Sequence, residues 1–201
     1  MPKIVDHDAR RAALAEAVWR VALERGLEDA TLREIAAEAG WSTGVLAHYF
    51  ADKDELLRFA FRLVVERAAD RYRRALEHHH RHEQLRAALR ETLPLDEERR
   101  AEARVWLAFL GRSLVHPELA RDRQAFYADW REALTRLLEA GQADGSLRED
   151  VDAKTEAVAL IALADGLALQ GVADPDGLPP RRQEAALDSA LRRLARGLSG
   201  E

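Results

Sequence analysis

Apolar residues recur along this chain every three or four positions, and no stretch alternates convincingly between apolar and polar residues. Spacings of three and four place side chains on one face of an α-helix, whereas a strand requires a period of two. Leu14, Val18, Val21 and Ala22 share the apolar face of a first helix, and Gly26 follows as its C-terminal stop. The pattern therefore predicts an all-α fold of about nine helices.

Two short helices joined by a tight turn are predicted after the first helix. Thr31 begins a Thr-Leu-Arg-Glu capping box, which opens the second helix. Gly40 ends that helix, and Ser42 or Thr43 can cap a third helix that runs to about Phe50. A short helix pair with a glycine in its turn, stacked on a preceding helix, is typical of a helix-turn-helix unit.

Longer helices are predicted in the rest of the chain. Asp52 and Glu55 open a fourth helix, which we expect to continue into the His-rich segment. Further helical patterns cover about residues 83–92, 97–115, 118–140, 153–172 and 180–197, with breaks at Pro94, at Pro117 and in 174–180. We therefore expect a helix-turn-helix domain over residues 1–50 and a larger helical bundle over residues 51–201.

Composition narrows the class of protein. Of the 201 residues, 47% are hydrophobic and 33% are charged, which suits a packed soluble chain. There is no cysteine, so disulfides and thiolate metal sites are excluded. No uninterrupted apolar run approaches the roughly 20 residues that span a bilayer. The first residues also lack the apolar core of a signal peptide. We expect a cytoplasmic protein with no membrane partner.

The charge balance opposes non-specific binding to nucleic acid. The net charge is −5, and the first 55 residues hold seven Lys and Arg against eleven Asp and Glu. Because non-specific affinity for DNA comes mainly from neutralised phosphates, DNA binding by this chain must depend on local geometry.

Local geometry of that kind is predicted around the third helix. Ser42, Thr43 and Gly44 are small enough for a close approach to DNA, and the two hydroxyls can donate to bases or phosphates. Lys53 lies at a predicted helix N-terminus, where a cation is unfavourable but an incoming phosphate is well accommodated. Tyr49 is four residues away and can offer its hydroxyl to the same phosphate or the next one. Any one of these residues is also expected in an ordinary helical hairpin. The DNA-binding interpretation therefore depends on their order along the chain.

The segment ATLREIAAEAGWSTGVLAHYFADKDELL, residues 30–57, resembles the DNA-binding signature of the TetR family of bacterial repressors. The shared features are a Thr-capped helix, an Ile-Ala pair, an Ala-Gly turn, a small-residue recognition helix, a His-Tyr-Phe segment and a Lys followed by an acidic-Leu pair. The resemblance implies a homodimer that a small-molecule effector releases from a palindromic DNA operator. The DNA-binding residues that it implies are Thr31, Arg33, Ser42, Thr43, Gly44, Ala47, His48, Tyr49 and Lys53.

Two positions depart from the common pattern. Trp41 stands where a small aliphatic residue is usual, and Ala47 stands where many members carry a tyrosine. In having a small residue at position 47, the chain resembles a BetI-like subgroup of the family. The opening residues 2–6, the Trp-Leu-Ala-Phe run at 106–109 and the Asp-Gly-Leu run at 165–167 resemble the same subgroup. This resemblance implies a BetI-like C-terminal domain and leaves the effector's identity open.

The larger domain is expected to bind the effector and to form the dimer. The helix at 153–172 is apolar over much of its circumference, and Leu187, Leu191, Leu194 and Leu198 follow at helical spacing in the last helix. The candidate effector-pocket residues are Phe59, Trp106, Phe109, Leu110, Phe126, Tyr127, Trp130 and Asp165. The alternative for most of these side chains is ordinary bundle core. Asp165 could instead cap a neighbouring helix, pair across the dimer or meet a cationic ligand, because an unpaired buried carboxylate is costly.

Two other functions are compatible with a helical chain. His78 and His82 are four residues apart, and Glu77 with His80 makes one Glu-x-x-His pair, so an all-α metal-dependent enzyme is one alternative. A metal site in a helical bundle requires a second such pair, which the sequence lacks. A helix hairpin that binds another protein is a second alternative. No nucleophile–base pair or phosphate-binding loop supports catalysis, so we expect neither an enzyme nor a cofactor nor a dedicated metal site.

Overall fold

The computed structural model describes residues 7–26, 30–79 and 81–196. Within these ranges the chain forms nine α-helices and no β-sheet, with one isolated antiparallel bridge between Leu147 and Ala195. The helices are α1 His7–Arg25, α2 Leu32–Glu38, α3 Thr43–Leu46, α4 Lys53–His78, α5 Arg81–Arg90, α6 Glu97–Ser113, α7 Pro117–Ala143, α8 Ala153–Ala173 and α9 Pro180–Leu194. The all-α prediction is confirmed, and α5 to α9 begin and end within three residues of the predicted bounds.

The predicted stop and cap residues explain the short helices. The Thr31 hydroxyl accepts the Glu34 N–H, and the Glu34 carboxylate accepts the Thr31 N–H, which completes the capping box of α2. Gly40 has a φ of 69°, and the next residue, Trp41, donates its N–H to the Ala36 carbonyl at 2.8 Å. This is the Schellman ending in which glycine is favoured because its left-handed conformation costs little.

The third helix is shorter than predicted. It comprises only Thr43–Leu46, and residues 47–49 form a turn rather than continuing to Phe50. The N–H groups of His48 and Tyr49 bond to carbonyls three residues back, so the backbone tightens after Leu46. The turn still places the Phe50 ring in the core, where it is 4% exposed.

One apolar core joins the helix-turn-helix to the rest of the molecule. It contains the predicted face of α1, the buried residues of α2 and α3, and Leu56, Leu57 and Ala60 of α4. Ala101 and Val105 of α6 belong to the same core. α4 follows the predicted domain boundary at residue 50. Both α4 and α6 therefore pack directly on the N-terminal helices.

The remaining helices form a bundle with two further cores. One lies among α5, α7, α8 and α9, and the other is an aromatic cluster between α4, α6 and α7. Among the described residues, α8 is the one helix long and apolar enough, by length and composition, to cross a membrane. By this criterion α8 departs from the prediction that no apolar run approaches the length that spans a bilayer. Buried core helices of soluble proteins meet the same criterion, and α8 packs against α6, α7 and α9.

Candidate DNA-binding face and effector cavity

The recognition segment, which we define as residues 31–53, presents most of its predicted contact residues to solvent. Ser42 caps α3 by accepting the Val45 N–H at 3.3 Å. Leu46 is fully buried and anchors the short helix to the N-terminal core. Eight of the predicted DNA-contact residues are exposed, namely Thr31, Arg33, Ser42, Thr43, Gly44, Ala47, His48 and Lys53.

Gly44 is not required by the packing of the chain. A Cβ atom built on it would meet only the Ser42 Oγ, at 3.9 Å, which is an ordinary contact. The residue is exposed, and its φ is not in the left-handed region. The missing side chain therefore leaves room on the outer surface of α3, where an external group can approach the backbone.

Tyr49 and Lys53 flank the start of α4. The Tyr49 ring is half-buried against Trp41, with ring centroids 5.5 Å apart, and Trp41 fills the space beside the turn as expected. Lys53 is exposed as the first residue of α4. Asp52 caps this helix by accepting the Glu55 N–H at 2.9 Å, and the Glu55 carboxylate accepts the Ala51 N–H at 2.7 Å.

The carboxylate of Asp54, in the same helical turn, is held by the corner between α6 and α7. Arg112 donates to both Asp54 oxygens, at 2.8 and 3.0 Å, and His116 Nδ1 lies 3.3 Å away. The arginine offsets one of the negative charges at the N-terminus of α4. It also ties the helix that carries Lys53 to α6.

A small cavity, which we call the aromatic cavity, lies between α4, α6, α7 and α8 and has a volume of about 80 Å³. Phe61, Trp106, Phe126 and Trp130 supply its rings, and Asp165 lies in the wall formed by α8. Trp106 and Phe126 are 5.1 Å apart between centroids, and Phe126 and Trp130 are 5.7 Å apart. The rings therefore surround one space rather than lying on separate faces of the bundle.

Asp165 is the carboxylate that α8 contributes to this cavity. It accepts the Tyr127 hydroxyl at 2.5 Å and a hydrogen bond from Trp106. Burial raises the pKa of Asp165, and these two hydrogen bonds oppose the rise. Burial and the nearby carboxylate both raise the pKa of Tyr127, so the phenol remains the donor. Within the chain, the partner of Asp165 is thus a neighbouring side chain and not a helix terminus.

The opposite wall of the cavity is made of ion pairs. Arg71 of α4 donates to Glu91 at 3.0 Å and to Glu102 at 2.8 Å, and Arg99 is 3.3 Å from Glu91. Glu102 is only 5% exposed, and its burial raises its pKa even though Arg71 favours the ionised form. This network was not predicted, because Arg71 is 20 and 31 residues away from its two glutamates along the chain.

Not all of the predicted pocket residues line the cavity. Trp106, Phe126, Trp130 and Asp165 do, and Tyr127 reaches it through its bond to Asp165. Phe109 is fully buried beneath it, stacked on Phe61 at 4.0 Å, and Leu110 packs against the same cluster.

Phe59, a predicted pocket residue, does not line the aromatic cavity. Its ring lies 5.3 Å from that of Phe50, in the N-terminal core and outside the cavity. Two residues along a helix correspond to a rotation of about 200°, so Phe59 and Phe61 point to opposite sides of α4. Phe61 was missed, although its spacing with Val64, Val65 and Ala68 marks the helix face that lines the cavity.

The described residues of the His-rich segment give no support to a metal site. His78 and His79 each place Nδ1 2.8 Å from a carbonyl oxygen of the last turn of α4. His80 and the side chain of His82 lie outside the described residues, as do residues 2–6 and Leu198. In the part of the chain that the structure describes, no group of three or more His, Asp or Glu side chains is arranged to hold a metal ion.

Comparison with known families separates the same two regions. A family model described as bacterial regulatory proteins of the tetR family matches residues 14–59. A second model, described as the C-terminal domain of BetI-type transcriptional repressors, matches residues 81–196. Neither model describes an enzyme, so the metal-enzyme alternative finds no support.

Curated relatives agree over most of the chain. The HTH-type transcriptional regulator PksA of Bacillus subtilis (strain 168) is 40% identical over 177 residues, which cover 87% of this chain and 84% of that protein. The HTH-type transcriptional regulator BetI of Stenotrophomonas maltophilia (strain R551-3) is 35% identical and covers 85% of each chain.

Solved structures of regulators have the same fold. A transcriptional regulator from Rhodococcus sp. Rha1 is 36% identical, with a TM-score of 0.78 over 92% of this chain and 95% of the other. A regulator from Saccharomonospora viridis, solved in complex with choline, is 27% identical, with a TM-score of 0.85 over 94% and 99%. With both family models in sequence order and a relative at 40% identity, this chain belongs to the TetR family of transcriptional regulators, with a helix-turn-helix DNA-binding domain and a BetI-type repressor C-terminal domain.

Proposed function

We propose that the protein is a cytoplasmic, homodimeric repressor that a small organic cation releases from a palindromic operator. The observation that carries the proposal is the aromatic cavity, in which several rings and a partly buried carboxylate face one small space.

A cation fits the chemistry of the cavity. The faces of Trp, Tyr and Phe rings attract cations, and aromatic cages are a common site for quaternary ammonium groups. Asp165 adds a negative charge whose hydrogen bonds come from uncharged donors, Tyr127 and Trp106. A bound cation would compensate the cost of keeping that carboxylate ionised away from water. The relative from Saccharomonospora viridis, which binds choline, supports the same ligand class.

The size of the cavity favours a small ligand. Pockets for drug-sized molecules usually exceed about 300 Å³. The cavity here measures about 80 Å³. A compact ammonium head group is therefore a better candidate than a large lipophilic cation, which would have to displace side chains from the cores around it.

The coupling to DNA can run through two arginines of α4. Arg71 bonds to Glu102 in the wall of the cavity. Arg67 lies one turn earlier on α4, donates to Glu98 of α6 at 3.0 Å, and stacks its guanidinium 4.2 Å from the ring centre of Trp19 in α1. A shift of α6 that accompanies ligand binding would thus be felt by the first helix of the DNA-binding domain. Such a linkage requires the ligand to favour one arrangement of the two domains over another.

The DNA contacts are proposed for the exposed residues of the recognition segment. Ser42, Thr43, Gly44, Ala47 and His48 would enter the major groove with α3. Tyr49 and Lys53 would hold the adjacent phosphates, and Arg33, next to the capped start of α2 at Thr31, would reach the sugar-phosphate backbone. Thr31 itself already caps α2, so we expect its contribution to DNA binding to be mainly structural.

The dimer is proposed to form on α8. Val158 and Leu169 are 52% and 53% exposed, and Ala159, Ala162 and Gly166 lie between them at helical spacing on the same side. A Cβ atom added at Gly166 would meet nothing within 4 Å in this chain. An exposed apolar stripe with small residues suits close packing of two copies about a twofold axis, which matches a palindromic operator.

The proposal can be tested with the DNA that flanks the protein's own gene. We expect purified protein to bind one inverted repeat there in a salt-dependent manner, with two chains per repeat. Choline and tetramethylammonium, added separately, should show whether an organic cation weakens this binding, with sodium chloride of equal concentration as the control. DNA binding that no organic cation alters would contradict the ligand class, and binding by a single chain would contradict the dimer.

A further inference from the structure

A second depression lies on the outside of the aromatic cavity, between α4 and α7. It has a volume of about 270 Å³ and is lined by four residues from each helix. From α4 these are Phe61, Arg62, Val65 and Glu66, and from α7 they are Asp122, Ala125, Phe126 and Asp129. Arg62, Glu66, Ala125 and Asp129 are exposed, so this groove is open to solvent.

The groove and the cavity share part of their walls. Phe61, Val65 and Phe126 line both spaces. Phe61 is 4% exposed and stacks on Phe109, so it is fixed in the core. Phe126 is half-buried and meets Phe61 edge-on, at 5.5 Å and 80°. Among these three residues, Phe126 is the aromatic ring whose rotation would connect the groove with the cavity.

Other walls of the cavity are more costly to open. The wall at the α5–α6 turn is cross-linked by the ion pairs from Arg71 and Arg99 to Glu91 and Glu102. Opening this wall would separate these charges from their partners, which is costly away from water. The wall at α8 is the helix itself, which packs against α7 and α9. Rotating one half-buried ring breaks neither hydrogen bonds nor ion pairs.

The rim of the groove has more acidic than basic side chains. Glu66, Asp122 and Asp129 line it, against Arg62. Asp122 lies 2.8 Å from Arg58 and 3.8 Å from Arg62, whereas Glu66 and Asp129 are on the exposed rim. Carboxylates at the mouth of a cleft raise the local concentration of cations and lower that of anions.

We propose that ligands enter and leave the aromatic cavity between α4 and α7, through a gate formed by the Phe126 ring with an acidic mouth at Glu66 and Asp129. The gate deepens the proposed function, because it depends on the cavity being a ligand site and gives the route by which a cation reaches it. It also assigns Phe126 a kinetic role, in addition to its place among the rings of the cavity.

The absence of native cysteine allows a test that requires no knowledge of the effector. Ala164 lines the cavity and is 3% exposed, so Ala164→Cys would place a single thiol inside it. Labelling rates would be measured with two methanethiosulfonate reagents, one carrying trimethylammonium and one carrying sulfonate. Ala69→Cys, on the exposed face of α4, gives the rates of an unhindered thiol. If Ala164→Cys does not fold, Ala103→Cys in the α6 wall serves as the reporter.

Adding Phe126→Ala to the reporter should raise the labelling rate by about tenfold or more, because a ring-sized opening replaces a rare fluctuation. Thr92→Ala shortens a side chain in the opposite wall and should change the rate less than about twofold. The cationic reagent should react faster than the anionic one, relative to Ala69→Cys. Glu66→Gln combined with Asp129→Asn should reduce that preference by about threefold or more at low salt.

Equal rates with and without Phe126→Ala, or a larger effect of Thr92→Ala, would overturn the gate. A preference for the cation that survives neutralisation of Glu66 and Asp129 would overturn the acidic mouth. These outcomes are separate from the proposed function, which fails if organic cations do not alter DNA binding by the unmodified protein, whatever the labelling rates.

Discussion

The recognition segment and the aromatic cavity use side chains in opposite ways. The recognition segment is a continuous run, residues 31–53, whose proposed contact residues are mostly exposed and small. The cavity collects buried rings and charges from α4, the α5–α6 turn, α6, α7 and α8. In the recognition segment the outer surface of α3 is left open at Gly44, whereas in the cavity Arg71 and Glu102 pair away from water.

This difference has an energetic consequence. An exposed side chain contributes little to folding, so its replacement changes binding with little effect on stability. A buried charge pair has lost its hydration, and removal of one partner leaves the other uncompensated. We therefore expect substitutions in the recognition segment to separate DNA binding from stability, and substitutions in the cavity walls to affect ligand binding and stability together. Five predictions test this contrast, beginning with the largest expected effect.

Gly44→Glu should reduce operator affinity by more than about 100-fold, because it adds bulk and negative charge where α3 meets the groove. The melting temperature should stay within about 3 °C, since a Cβ atom at this position meets no close neighbour. Fluorescence anisotropy and thermal denaturation would measure the two quantities. Ala69→Glu adds the same charge on exposed α4 and is the matched control. A large drop in melting temperature for Gly44→Glu would contradict the contrast.

Asp165→Asn should weaken the binding of an organic cation by about 10- to 100-fold, because a charge-assisted contact is worth about 1.5–3 kcal/mol. Tyr127→Phe removes a hydrogen bond to Asp165 but keeps its charge, so we expect a smaller loss. Isothermal titration calorimetry with choline or tetramethylammonium would measure both variants. Equal affinity of Asp165→Asn and the unmodified protein would show that the carboxylate does not face the ligand.

The pH dependence of the same binding follows from the raised pKa of Asp165. A cation favours the ionised carboxylate, so affinity is constant above that pKa and falls as the pH decreases through it. Because burial raises the pKa, the fall should begin above the ordinary aspartate range of about 3.9. Asp165→Asn should show a flatter profile, and an unchanged profile would assign the titration to another group.

Lys53→Ala should weaken operator binding by about tenfold and reduce the slope of log affinity against log salt by about 0.9, as expected for one lost phosphate contact. Arg136→Ala makes the same charge change on the exposed face of α7 and should leave both quantities unchanged. Tyr49→Phe should cause a smaller loss than Lys53→Ala, and neither variant should alter the oligomeric state. Unmodified affinity in both Lys53→Ala and Tyr49→Phe would remove these residues from the proposed contact set.

Arg67→Met should have the smallest effect, and it should affect coupling more than binding. The substitution keeps an unbranched stem but removes the contacts of the guanidinium with Glu98 and Trp19. We expect the effector-induced loss of DNA affinity to shrink by about 2- to 5-fold, in the lower half of the usual range for residues that link two sites. Arg73→Met is the control, because among the described residues Arg73 pairs with Asp70 on its own helix and not with α1 or α6. Similar coupling in both variants would exclude the route through α1.

The N-terminal features could be read from the sequence because their interactions are local. The capping box of α2 joins residues three apart, and Gly40 and Ser42 act on the backbone of their own turns. The family signature spans the same short stretch. Even here, the early end of α3 was not predicted, because the tightening after Leu46 depends on how Phe50 reaches the core.

The cavity could be predicted only in part. Trp106, Trp130 and Asp165 were identified as candidates, but Phe59 was chosen where Phe61 lines the space. Both faces of α4 carry a phenylalanine, and periodicity alone does not say which face meets the N-terminal core and which meets α6 and α7. That choice is made by packing between helices that are distant in sequence.

By itself, the sequence determined the helices, their caps and the order of the two regions, because backbone hydrogen bonds and helical periodicity act within a few residues. The tertiary structure decided which rings enclose a space, which acid meets Tyr127, and that Arg71 pairs with glutamates 20 and 31 residues away. Those contacts depend on the angles at which whole helices pack. The free energy that fixes these angles is spread over all three cores and belongs to no single motif.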